Sequence, residues 1–230
     1  MLLFNLREFL DNPPALVAYL AAFLVAFITG IAFHEFSHAW AANELGDDTA
    51  ARRGRLTLNP AAHLDPAGLV LLLLVGFGWG KPTPVNPMRL RGGWKRGNML
   101  VALAGPASNF VFAVLAAIPL RLGWVTPVSS WDAISSAGGS EIIGIFLLFI
   151  VFYNILLGVF NLIPIPPLDG FKVAVGILPD GAARTLSSLE PYGMGLLMAL
   201  FVIGFIAPQY NILGWFIGGL SDQVFRAIGV

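Results

Sequence analysis

From Ala15 to Leu45 the chain is apolar for 31 residues, and the only acidic or basic side chains within it are His34, Glu35, His38 and Glu44. A bilayer's hydrocarbon core is about 30 Å thick and takes roughly 20 residues of helix. The run therefore crosses a membrane with length to spare, and its far end is expected to tilt or protrude. Pro13-Pro14 precedes it and Gly46-Asp47-Asp48 closes it. It is far too long for a signal peptide, and no cleavage signature follows. Asn98–Leu122 and Glu141–Ile163 are second and third spans, and Tyr192–Ala207 and Asn211–Ile228 are further apolar stretches. Composition agrees, with 57% of the 230 residues hydrophobic and 11% charged, against roughly 25% charged in soluble domains. A soluble domain, a disordered chain and a coiled coil are excluded. Thirteen Lys and Arg balance thirteen Asp and Glu, so no positive field exists to hold nucleic acid. The absence of cysteine removes disulfides, iron–sulfur clusters and thiolate zinc sites.

Charge sets the expected orientation. Arg52, Arg53, Arg55, Lys81, Arg89, Arg91, Lys95 and Arg96 lie between the first and second spans, whereas the 123–140 loop carries Asp132 and has only Arg121 at its edge. The positive-inside rule places 46–97 in the cytoplasm and 123–140 outside. Both flanks of the short apolar segment Ala67–Gly80 then share one side, which reads as a re-entrant or surface segment. Met1–Asn12, with Arg7, Glu8 and Asp11 among Leu and Phe, reads as a short interfacial helix. Trp79, Trp94 and Trp124 fall where interfacial aromatic anchors are common. The expected fold class is all-α, a single polytopic transmembrane helix bundle over 1–230. Its three-helix core spans about 15–180 and further spans cover about 191–229, with a re-entrant segment and room for a small β-hairpin.

Within the first span the chain reads Ile31-Ala32-Phe33-His34-Glu35-Phe36-Ser37-His38. Residues four apart stack about 40° around and one turn along a helix, so His34 and His38 can reach one ion while Glu35 faces water beside it. Two histidines one turn apart can be mere hydrogen-bonding core residues, but in lipid, with Glu35 between them, a metal site is the better reading. Catalytic zinc normally takes three protein ligands and a water. His63, in Asn59-Pro60-Ala61-Ala62-His63-Leu64-Asp65-Pro66, and Asp169, in Asn161-Leu162-Ile163-Pro164-Ile165-Pro166-Pro167-Leu168-Asp169-Gly170, both qualify, and spacing does not choose between them. Asp169 also reads as a plain helix cap. Gly105, Ala107 and Ser108 read as helix-packing residues, with Pro106 a kink and Asn109 a polar contact into the site.

His34-Glu35-Phe36-Ser37-His38 followed far downstream by Asn161-Leu162-Ile163-Pro164-Ile165-Pro166-Pro167-Leu168-Asp169-Gly170, with Ala104-Gly105-Pro106-Ala107-Ser108-Asn109 between them, resembles the site-2 protease family of intramembrane zinc metalloproteases. The likeness is to compact bacterial and archaeal members that lack a PDZ domain. The resemblance implies one zinc per chain held by His34, His38 and Asp169, with Glu35 as general base. Asn161 would orient substrate or stabilise the oxyanion, and His63 would lie near the mouth of the site, off the metal. The substrate would be a membrane-spanning helix of another protein, locally unwound and paired with an edge supplied by 51–58 or 81–90. The enzyme would sit in a prokaryotic inner membrane with its site toward the cytoplasm. A metal-ion transporter is the competing class and predicts metal flux and tolerance of Glu35 replacement. A non-catalytic substrate-binding relative and an unrelated membrane zinc peptidase complete the alternatives.

Overall fold

The computed structural model describes residues 13–75, 78–126 and 138–229. Met1–Asn12 and most of the 123–140 loop lie outside these residues. The helices of eight residues or more are α1 (Pro13–Glu44), α2 (Pro66–Val75), α3 (Gly93–Arg121), α4 (Gly139–Asn161), α5 (Asp169–Ile177), α6 (Asp180–Ser187), α7 (Gly193–Ile206) and α8 (Ile212–Ile228), with a single helical turn at Thr49–Arg52. Four helical stretches among the described residues are long and apolar enough to cross a membrane: Leu16–Glu44, Gly93–Arg121, Gly139–Asn161 and Asp180–Ile206. The last runs from α6 through a short 3-10 turn, Glu190–Tyr192, into α7. α8 has 17 residues, about 25 Å at 1.5 Å each, and falls slightly short of a straight crossing.

Local chemistry sets the helix ends. Pro13 and Pro14 open α1, where missing N–H groups cost nothing. Gly46, at φ 99°, lets the chain turn away just beyond it. Glu141 folds back to accept from the Gly138 N–H at 2.7 Å and caps α4. Pro164, Pro166 and Pro167 interrupt the helix after Asn161, and the Pro166–Pro167 peptide is cis.

The core is α1, α3 and α4 packed on one another, with α5 against α3. Between apolar helices in lipid there is little hydrophobic gain, so close approach and polar bonds hold the bundle. Ala113, Ala116 and Ala117 of α3 accordingly meet Val151, Ile155 and Val159 of α4 in one buried cluster. On α1, Ala22 and Ala26 are fully buried. Ile163 and Leu168 of the proline-rich turn are buried against Leu197 of α7 and Leu213 of α8, which anchors that turn from outside. Met198, Leu200 and Phe201 of α7 pack partly buried on that cluster, while Val202, Phe205 and Ile206 are exposed, as lipid contact requires.

α2 is too short to cross, at ten residues or about 15 Å. The chain flanking it returns to meet itself: Leu64 bridges Gly80, and the Lys81 N–H donates to His63 O at 2.7 Å. The two flanks of the segment thus lie side by side. This isolated bridge takes the place of the anticipated β-hairpin, and no longer strand forms among the described residues. The cause is local. Ala51 and Arg52 continue a helical turn, while Pro82, Pro84 and Pro87 strip N–H groups from the other candidate edge.

Candidate metal centre

His34 and His38 project from one face of α1, and Asp169 is the first residue of α5, immediately after the proline-rich turn. His34 Nε2, His38 Nε2 and Asp169 Oδ2 form a triangle with every edge 3.0 Å. All three residues are buried. They are the one set of three His, Asp or Glu residues among those described that is arranged to hold a metal. Edges of 3.0 Å approach the roughly 3.3 Å between neighbouring ligands of a tetrahedral zinc with bonds of ~2.0–2.1 Å.

The tautomers follow from the partners behind the rings. His38 Nδ1 lies 2.7 Å from Val101 O, a carbonyl that can only accept, so Nδ1 carries the hydrogen. His34 Nδ1 lies 2.7 Å from Asn109 Oδ1, which likewise accepts. In its neutral form each ring therefore turns an Nε2 lone pair toward the carboxylate oxygen of Asp169. Three lone pairs converging at 3.0 Å repel one another unless a cation lies among them, and two imidazoles with one carboxylate are a donor set suited to zinc. Lys172 stands 3.9 Å from Asp169 Oδ1, so the ammonium faces the carboxylate oxygen that is turned from the imidazoles.

Gly105 makes the triangle possible. A Cβ there would lie 2.5 Å from His38 Cε1 and Nε2 and 2.7 Å from His34 Cε1, so the two rings lie directly on the α3 backbone. Pro106 follows inside the helix; it offers no N–H to Ala102 O and loosens the turn locally. The carbonyl next to that break, Val101 O, is the one His38 uses.

Glu35 is half-buried. Its Oε2 accepts from the Thr83 N–H at 2.8 Å, and its main-chain O accepts from Thr83 Oγ1 at 3.0 Å. Thr83 belongs to a non-helical stretch, 81–86, tied at both ends. Lys81 O accepts from Arg55 Nη1 at 3.1 Å, and the Asn86 N–H donates to the fully buried Asp47 at 2.6 Å. Next to Asp47, the bond from Arg52 and the charge of Arg89 hold the Asp48 carboxyl below its ordinary value.

Of the remaining sequence candidates, Asn109 bonds a member of the triangle, while His63 and Asn161 bond elsewhere. His63 is fully buried, its Nε2 donates to Thr57 O at 2.7 Å, and its Nδ1 has no partner. Asn161, at the end of α4, donates to Leu157 O at 3.0 Å. Asn109 is fully buried behind His34. Thr83 and Asn154 escaped the sequence reading. Thr83 carries no signal in a loop, but Asn154 is a polar residue inside an apolar span, which is itself a mark of function.

The profile of peptidase family M50 matches residues 127–204, which contain Asp169 but not the histidines. "Putative zinc metalloprotease YwhC" of Bacillus subtilis is 38% identical over 195 residues, covering 85% of each chain. "Putative zinc metalloprotease Rip2" of Mycolicibacterium smegmatis is 29% identical over 230 residues, covering 95% of this chain and 82% of the relative. Rip2 of Mycobacterium tuberculosis is 30% identical over 210 residues, 90% of this chain and 74% of the relative. No solved structure matches. Similarity of this extent along nearly the whole length assigns the chain to peptidase family M50, the site-2 proteases.

Proposed function

We propose that His34, His38 and Asp169 hold the zinc of this intramembrane metalloprotease and that Glu35 is its general base. The observation that carries the reading is the convergence of two Nε2 lone pairs and one carboxylate oxygen at 3.0 Å, with Glu35 on the next residue of the same helix. Zinc bound there supplies positive charge that polarises a carbonyl and acidifies water. Glu35 takes a proton from the attacking water and returns one to the leaving amine. Thr83 orients it for that work, binding Oε2 and leaving Oε1 to face the water. Asn161 has a second amide hydrogen beyond the one given to Leu157 O, and that hydrogen serves the substrate carbonyl or the oxyanion.

The substrate class is a transmembrane helix of another protein, unwound locally so that one peptide bond reaches the site. Of the two edges considered, 81–90 has the better support, because 81–86 is non-helical and bonded to Glu35. Pro82 and Pro84 have no N–H and the Thr83 N–H is taken, so over 82–84 this edge offers a substrate acceptors, not donors. The site lies toward the Glu44 end of α1, the end bearing Arg52, Arg53, Arg89, Arg91 and Lys95. The positive-inside rule makes that end cytoplasmic, in a prokaryotic cell membrane. His63 supports the loop beside 81–86 near the mouth of the site.

Glu35→Gln tests the reading. The variant is expected to keep one zinc per chain and to lose cleavage of a membrane-embedded substrate, while Asp169→Ala loses zinc. Wild-type cleavage by Glu35→Gln refutes the base assignment, and full zinc in Asp169→Ala refutes the ligand set.

A further inference from the structure

Asn154 is fully buried in α4, where its neighbours along the helix are Ile, Leu, Phe, Val, Gly and Tyr153. An amide left unpaired at that depth would be strongly unfavourable, so its bonds account for its presence. Asn154 Nδ2 donates to Ile150 O at 2.8 Å. Asn154 Oδ1 accepts from Asn109 Nδ2 at 2.8 Å. Asn109 Nδ2 also donates to Gly30 O at 3.1 Å. Asn109 Oδ1 is then left to accept from His34 Nδ1 at 2.7 Å. Gly30 leaves the room for this: a Cβ there would sit 3.2 Å from Asn154 Oδ1 and 2.9 Å from Leu157.

We propose that Asn154 and Asn109 form a positioning relay that sets the tautomer and ring angle of His34 for metal binding. The inference rests on the ligand reading above. Its direction is set by two main-chain carbonyls, Ile150 O and Gly30 O, which can only accept. Neither amide can turn over without placing oxygen against oxygen, so Asn109 always shows His34 an acceptor. His34 must keep its hydrogen on Nδ1 and its lone pair on Nε2. α4 contributes no ligand to the triangle, yet through Asn154 it fixes a ligand carried by α1. Outer partners of this kind typically change metal affinity 10–100-fold when removed.

The test uses the full-length chain in detergent, with Zn2+ competed against a chromogenic chelator. Asn109→Leu is expected to weaken zinc about 10–100-fold, and Asn154→Leu by less, since Gly30 O still holds Asn109. Asn154→Asp, which as a neutral acid accepts from Asn109 and donates to Ile150 O, is expected to restore wild-type affinity. The chain has three histidines, so 15N-histidine labelling resolves them in the metal-free protein at high pH. The wild type is expected to show His34 as the Nδ1–H tautomer and Asn109→Leu a mixture, a change that looser packing alone does not produce. An Nε2–H tautomer in the wild type overturns the relay without recourse to any variant. Zinc affinity within twofold of wild type in Asn109→Leu also overturns it. His34→Ala separates the two ideas: if it keeps zinc the ligand reading fails, and if it loses zinc while the asparagine variants do not weaken, only the relay fails.

Discussion

Replacing Gly105 with alanine adds one methyl group where the rings of the two proposed zinc ligands, His34 and His38, lie against a helix backbone. The added carbon would sit 2.5 Å from two atoms of His38 and 2.7 Å from one of His34, against about 3.5–4.0 Å for carbon atoms at contact. Both rings must therefore back away by about an ångström or more. Neither is free to do so, because His38 is bonded to Val101 O and His34 to Asn109 at 2.7 Å each. Overpacking of this kind costs about 1–3 kcal/mol, which at 1.4 kcal/mol per tenfold is roughly a 5- to 150-fold loss of zinc affinity. The bundle itself should survive, since the strain is concentrated on side chains that shift only by giving up the metal. Competition with a chromogenic chelator measures the loss, and thermal melting of the metal-free protein reports the fold. Gly218→Ala in α8 is the control, because a Cβ there meets nothing within 4 Å. Zinc affinity and cleavage within twofold of wild type in Gly105→Ala would refute the claim that the glycine exists to seat the imidazoles.

Thr83→Pro removes the N–H that Glu35 Oε2 accepts. A hydrogen bond to a charged group is worth about 1.5–3 kcal/mol, so kcat is expected to fall about tenfold or more with zinc content unchanged; an unchanged kcat shows that Thr83 does not orient the base. In Gly170→Ala the new carbon would lie 2.1 Å from Leu162 O, a backbone atom that cannot swing aside. The start of α5 is displaced, and both zinc content and melting temperature drop. Asp47→Ala leaves the Asn86 and Thr49 N–H groups without their acceptor, at about 1–3 kcal/mol for each that stays buried. Limited proteolysis between residues 79 and 92 is expected to quicken, and unchanged cutting counts against Asp47 as the anchor of that stretch.

The bundle was legible because hydropathy reports membrane helices directly, and α1, α3 and α4 fall where apolar runs stand. Histidines one turn apart on α1 were legible for the same reason that makes them useful, since helical periodicity puts them on one face. Spacing left Asp169 level with His63, and the resemblance alone favoured it, because its distance from His38 is created by the proline-rich turn and the docking of α5, which no local pattern encodes. Gly105 looked like a packing glycine; only the rings lying on it reveal what it packs against. The small hairpin did not form, since prolines in 82–87 deny the strand its donors.

The last donor of the triangle lies 131 residues beyond His38 and 135 beyond His34. At about 5–20 residues per second, a ribosome needs on the order of ten seconds to travel from the first histidine to the aspartate. During that interval α1 can already sit in the bilayer among other newly inserted helices, carrying two imidazoles and a glutamate but no carboxylate to finish the cage. On the ligand reading proposed above, a chain ending before Asp169 would lack the third donor, and hydrolytic competence would arrive only when the second half of the polypeptide has docked.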